Sequence, residues 1–480
     1  MKKLHLFILI VCYSFLASAQ INRTVPPEAD KPQKLNIGKL IPIVLDNGLR
    51  VYLAPVKDYP KFTMSVNIEL PGYDEEKRLA EKQILGLAYR NKRSTKYPNK
   101  EIKLIEDSYP AMINVNMYGG TVKGMKKDID TLLHAYSDLL LHPIITKDYI
   151  NKKHKESLDH GETEKETLPK ASRKFSMNTI VDSLLFGQKK EEQEIKVATQ
   201  PNFVGLTVQD IYNYKDERIL SNNALVVIVG DFSASECRLL MERYFGAWKP
   251  GDPYVKKNTI IQKTQIITNR KIVVKDVPDA VQSKISFQWH LGDAYTYFKD
   301  DIKLQVLNKL FGESQLSYLY KNLREDKGLC YYIRSSVGSS ADGGTGSVNT
   351  DVRNKQTAYA IENIILEMLR LRNEDVEASD LKIAKNSLIG EYTRSLNHIA
   401  PIPYITFAMQ KDVYNLPDDY LQNKVNRYYE VTIEDLKAMA QKYIDPFKCV
   451  ITISGKVSEL KGTLEKFGEV LYYDQNGNKI

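Results

Sequence analysis

The stretch Ala224-Leu-Val-Val-Ile-Val-Gly230 returns 225 residues later as Cys449-Val-Ile-Thr-Ile-Ser-Gly455, and this recurrence decides the reading of the fold. Two further pairs keep the same order at nearly the same separation. Met64-Ser-Val-Asn-Ile-Glu-Leu70 is matched by Ile285-Ser-Phe-Gln-Trp-His-Leu291 at an offset of 221, and the helical run Lys127 to Leu141 by Lys355 to Leu369 at 228. A period this long means two copies of a whole domain, because solenoid repeats run about 20 to 50 residues. Pro250-Gly-Asp-Pro253 breaks the chain, and a new strand signal starts at Lys271-Ile-Val-Val-Lys275. These signals place an N-terminal domain at 36–250, a linker at 251–270 and a C-terminal domain at 271–470.

Within each copy the predicted order is strand, helices, strand pair, long helix, more helices, strand and final helix. The long helix of the first copy carries Ile129, Leu132, Leu133, Tyr136, Leu139 and Leu140 as one apolar stripe; its counterpart carries Ala358, Ile361, Ile364, Ile365, Met368 and Leu369. The strands are expected to alternate in and out beneath helices on one face. The class is therefore α+β, in two homologous domains, each an antiparallel-rich sheet packed by helices.

Composition removes several classes. With 480 residues, 42% hydrophobic and 27% charged, 25 Gly and 19 Pro, the chain is neither collagen-like nor of low complexity. Its net charge of +8 has no long Lys/Arg block behind it, which sets aside a dedicated nucleic-acid binder. Lys2 and Lys3, the apolar run Leu4 to Leu16 and Ala17-Ser-Ala19 have the pattern of a signal peptide at 1–19. Because a membrane span needs about twenty apolar residues, the expectation is cleavage after Ala19, export to a periplasm and no membrane attachment thereafter. Cys237, Cys330 and Cys449 then remain, too few and too scattered for a disulfide framework or a metal knuckle.

No phosphate-binding loop, nucleophile elbow or dinucleotide fingerprint occurs, and neither does His-Glu-x-x-His nor His-x-x-Glu-His. Gly343-Gly-Thr-Gly346 lacks the lysine of a phosphate loop and reads as the start of a strand. His154 and His160, or His134 and His142, sit at spacings that cannot chelate zinc on a helix, since each ligand must reach within about 2 Å of the metal. They read as surface or packing histidines. A more specific cluster lies in the second copy. Leu319 to Arg324 reads as a helix end, Gly328 as its stop, and Leu329-Cys-Tyr-Tyr-Ile-Arg-Ser-Ser-Val337 as a strand with Leu329, Tyr331, Ile333 and Val337 on one face. Across that turn Arg324 and Tyr331 could offer a guanidinium and a phenol to a carbonyl or carboxylate; spacing alone favours a surface arginine and a core tyrosine.

The two-copy plan and these local sequences resemble the pitrilysin/insulinase-type zinc metallopeptidases, the inverzincins, over about residues 36 to 470. Asn222-Asn-Ala-Leu-Val-Val-Ile-Val-Gly-Asp231 with Leu239 to Trp248 carries the likeness, as does Leu323-Arg-Glu-Asp-Lys-Gly-Leu-Cys-Tyr331. The resemblance implies that Arg324 and Tyr331 are the family's substrate-binding pair, and that the chain is half of a clamshell closing on unfolded peptide. It also implies a zinc motif between the first strand and Thr95-Lys-Tyr-Pro98, where the chain reads Leu85-Gly-Leu-Ala-Tyr89. Leu85 and Tyr89 then take the ligand positions and Ala88 that of the catalytic base, and none can do the work. The helix that supplies the family's further glutamate ligand leaves Glu156 or Asp159, not a site by itself. The resemblance thus implies no metal and no catalytic residue on this chain alone, and zinc on a related partner subunit. The alternative is a stand-alone peptide-binding protein of the same fold.

Overall fold

A run as apolar as Ala224-Leu-Val-Val-Ile-Val-Gly230 cannot present one face to water, and in the computed structural model all seven residues are buried. The model describes residues 39–68, 78–99, 101–160, 177–186, 203–252, 267–292, 294–340, 343–397, 402–414 and 416–480. The expected signal peptide at 1–19 and most of the expected linker lie outside these. The first copy runs β1 (Ile41–Val44), β2 (Arg50–Pro55), β3 (Lys61–Ile68), α1 (Leu79–Arg90), α2 (Glu101–Ser108), β4 (Met112–Asn116), β5 (Gly119–Met125), α3 (Ile129–Leu141), α4 (Lys147–His160), α5 (Met177–Phe186), α6 (Val208–Arg218), β6 (Ala224–Gly230) and α7 (Ala234–Phe245). The second runs β7 (Lys271–Asp276), β8 (Gln282–His290), α8 (Ala294–Asn308), β9 (Cys330–Ser340), β10 (Gly343–Arg353), α9 (Thr357–Asn373), α10 (Ala378–Asn397), α11 (Ile402–Tyr414), α12 (Tyr420–Glu430), α13 (Ile433–Tyr443), β11 (Val450–Gly455), α14 (Val457–Leu460) and β12 (Glu469–Tyr473).

The duplication holds to the level of register. The two six-stranded sheets have the orders β1-β2-β6-β3-β5-β4 and β12-β7-β11-β8-β10-β9. Met64 pairs with Ile228 and Val122, while Ile285 pairs with Ile453 and Thr350, so the offsets of 221, 225 and 228 meet side by side in the sheet. Helix α6 starts on a capping box of Thr207 and Asp210, and α13 repeats the device with Thr432 and Asp435. The outermost strand is where the copies part. In the first sheet β1 folds back antiparallel on β2, whereas in the second the C-terminal β12 joins β7 in parallel.

Helices on one face of each sheet do not complete the core, contrary to the sequence expectation. In β2 and β6, Val51, Leu53, Val226 and Ile228 face the first copy's own helices. Tyr52, Ala54, Leu225, Val227 and Val229 face the other way, onto Tyr404, Phe407 and Ala408 of α11 from the second copy. Val181 and Leu185 of α5 return the arrangement, packing on Val273, Val450 and Tyr473 of the second sheet. Helices α5 and α11 begin 225 residues apart, so each copy lends the same helix to the other's sheet. Both central strands are therefore covered on both faces, and two smaller hydrophobic clusters join the copies beside their separate main cores.

That exchange has a thermodynamic consequence. The chain has two tryptophans, Trp248 in the first copy's core and Trp289 in the second's, both buried. Trp248→Phe and Trp289→Phe variants, each leaving one reporter, should show the same urea midpoint. Phe407→Ala, which removes a ring stacked on Tyr420 at 5.9 Å, should cost about 3–5 kcal/mol and lower both midpoints together. Separate transitions for the two reporters would mean that the halves unfold independently.

Candidate functional site

Arg324 stands on a π-helical stretch, Tyr320–Asp326, whose wide last turn is closed by Gly328 at φ +59°. The Gly328 N–H donates to the Arg324 carbonyl (3.2 Å) and the Leu329 N–H to that of Leu323 (2.8 Å), as expected of a glycine that ends a helix. The chain reverses there into β9, the edge strand of the second sheet. The guanidinium lies 4.7 Å from the Tyr331 ring and 5.0 Å from the Tyr320 ring, and donates to the Tyr331 carbonyl. Two aromatic faces and one hydrogen bond hold the planar group, leaving most of its five N–H donors for a ligand.

Tyr331 does not lie on the inner face with Leu329 and Ile333. Across β10, Ile333 faces Thr350 but Cys330 faces Val352, so β9 takes three steps where its neighbour takes two. Tyr331 and Tyr332 together oppose Asp351, a bulge that reverses the alternation. Ile333 and Ser335 stay buried, while Tyr331 is turned out and is 83% exposed. Neither the bulge nor the stacking role of Tyr320 was foreseen in the sequence.

Leu85, Ala88 and Tyr89 come together as well, on the inner side of α1, and all three are buried. The Tyr89 hydroxyl donates to the Leu140 carbonyl at the end of α3 (3.0 Å). Burial, with Asp216 nearby, pushes that phenol far above its ordinary pKa, so it stays protonated. On α4, Glu156 is ion-paired with Lys153 at 2.5 Å, and the side chains of Asp159 and His160 lie outside the described residues. His134 bonds to Tyr97 (2.7 Å) and Lys96 (3.1 Å), and the exposed His142 to Asp138 (3.1 Å), in keeping with surface or packing histidines.

Residues 205–388 match the family model described as the peptidase M16 inactive domain. That match places an M16-like peptidase domain within the chain. Among curated proteins, the chain is 24% identical over 238 residues to the probable inactive metalloprotease YmfF of Bacillus subtilis, covering 49% of the chain and 53% of that protein. It is 22% identical over 256 residues to the zinc protease PqqE of Helicobacter pylori, covering 49% and 52%. It thus spans about half the length of these relatives. Among solved structures, the peptidase M16 inactive domain from Pseudomonas fluorescens superposes with a TM-score of 0.69 at 16% identity, covering 88% of this chain and 98% of that one. The first half of the periplasmic protease PqqL from Escherichia coli gives 0.61 at 13%, covering 91% and 95%.

The likeness to M16 peptidases implies zinc, and the residues at the expected place do not fit it. A zinc site needs three or four nitrogen, sulfur or oxygen donors at about 2.0–2.3 Å. Leu85 and Ala88 have none, and the Tyr89 oxygen is occupied inside an apolar core. Among the described residues no three His, Cys, Asp or Glu side chains are grouped to hold a metal ion. The thiols offer no substitute: burial pushes both Cys237 and Cys449 up to about 12, where the reactive thiolate is scarce.

Proposed function

We propose that this chain is an exported, non-catalytic subunit of a heterodimeric zinc metallopeptidase of the M16 type. It binds unfolded peptide and presents Arg324 and Tyr331 to the active site of a related, zinc-carrying subunit. The observation that carries the reading is the side-by-side Arg324 and Tyr331 on an edge strand, with the tyrosine turned outward by a bulge. A large aromatic 83% exposed serves no core, and an arginine locked against it is prepared for recognition.

The edge strand adds a second element. An extended peptide can pair with the free rim of β9 through main-chain hydrogen bonds, which bind without regard to side-chain identity. At one end of that strand the guanidinium and phenol can both donate to a peptide carbonyl, whose oxygen gains negative charge during hydrolysis. The likeness to the first half of a longer protease supports the idea that a second pair of such domains completes the enzyme.

The test is the mass and zinc content of the protein drawn gently from its native cell envelope. The expected result is a complex near twice the chain mass, with one zinc that leaves with the partner. A zinc-free monomer or homodimer would overturn the subunit assignment, and zinc held tightly by this chain alone would overturn the non-catalytic one.

A further inference from the structure

Behind β9, between α10, α12 and the end of α8, lies a cavity of about 440 Å³. Four charged side chains line it. Two are carboxylates, Glu313 and Glu391, and both are already held by Lys309, at 3.1 and 2.9 Å. The other two are cations, Arg334 and Lys424, and among the described residues neither has a hydrogen bond or an ion pair. Lys424 is held only by ring faces, with its ammonium 5.3 Å from the centre of Tyr392 and 5.7 Å from that of Tyr428.

We propose that this cavity binds a carboxylate, clamped between Lys424 and Arg334. Lys424, largely buried and in no ion pair among the described residues, is left with an unmet need for negative charge, while the exposed Arg334 lines the same cavity; Glu313 and Glu391 point their charge to Lys309 instead. Asp301, deeper in the fold, attracts Lys424 from beyond ion-pair distance while accepting a hydrogen bond from Tyr420 at 2.5 Å. Burial lowers the Lys424 pKa, an effect that an incoming anion would reverse. Residues 334–337 of the cavity wall belong to β9 itself, so the C-terminal carboxylate of a peptide paired with that strand is within reach of the site. That source rests on the peptide-binding reading above; a free small-molecule acid would use the same two cations.

Calorimetry on the full chain separates the possibilities, using N-acetyl-trialanine as free acid and as amide, with succinate as the non-peptide acid. The expected result is that the free acid binds at least about tenfold more tightly than the amide, and that Lys424→Met and Arg334→Gln each abolish the difference. Arg334 is exposed, so its variant tests the site even if Lys424→Met disturbs packing. Succinate binding as tightly as the tripeptide acid would assign the site to free acids and not to peptide ends. Equal binding of acid and amide, wild-type behaviour of both variants, or no binding of either acid up to about 20 mM would overturn the proposal. Acid binding that depends on Lys424, found together with an Arg324→Ala complex of normal turnover, would overturn the Arg/Tyr role and leave this site standing.

Discussion

Arg324→Ala should lower peptide turnover by the assembled complex about 100- to 1,000-fold, the usual effect of removing one donor aimed at a developing oxyanion. Tyr331→Phe should act in the same direction. The complex should keep its mass, because neither side chain supports the core: Tyr331 is turned out to solvent, and among the described residues Arg324 lies over the rings of Tyr320 and Tyr331. Arg324→Lys should rescue little, since an ammonium cannot lie flat between two rings and still present a planar set of donors. The measurement is kcat/KM on an unstructured fluorogenic peptide beside the mass of each complex. Wild-type turnover in both variants would remove the pair from the mechanism.

The second large effect concerns the place where a zinc motif would stand. Leu85→His should destabilise the fold by about 3–5 kcal/mol, because it swaps a fully buried aliphatic chain for a ring whose nitrogens find no partner. Adding Tyr89→His should worsen the loss by leaving the Leu140 carbonyl without its donor. Urea denaturation and zinc titration should show a weaker fold and no stoichiometric metal. A double variant that binds one zinc tightly and keeps wild-type stability would show that the pocket is intact beneath its altered residues.

The parts of this molecule that the sequence disclosed are those that repeat. Ala224–Gly230 and Cys449–Gly455 showed the duplication because buried central strands tolerate little besides Val, Ile and Leu, and their register then follows. The positions of Arg324 and Gly328 could be read because a helix end and its glycine leave a local signature. Tyr331 was assigned to the wrong face, since a bulge is a property of two strands paired and leaves no mark in one of them. The clamp of Lys424 and Arg334 was invisible for a related reason. Its residues lie 90 apart in the chain and line one cavity only in the folded molecule. The exchange of α5 and α11 was missed because an amphipathic helix announces that it will bury a face, without naming the sheet that receives it.

That exchange bears on the origin of the chain. A single copy with this architecture would leave one face of its two central strands bare, with Val227 or Val450 open to water. Two identical copies could cure this only by trading their α5-type helices across a two-fold axis, a swapped homodimer. The traded helices thus fit an origin in which two copies paired before they shared one chain. The two halves differ in what they carry: the second has Arg324 and Tyr331 at its edge strand, and the first has Leu85, Ala88 and Tyr89 buried in its core.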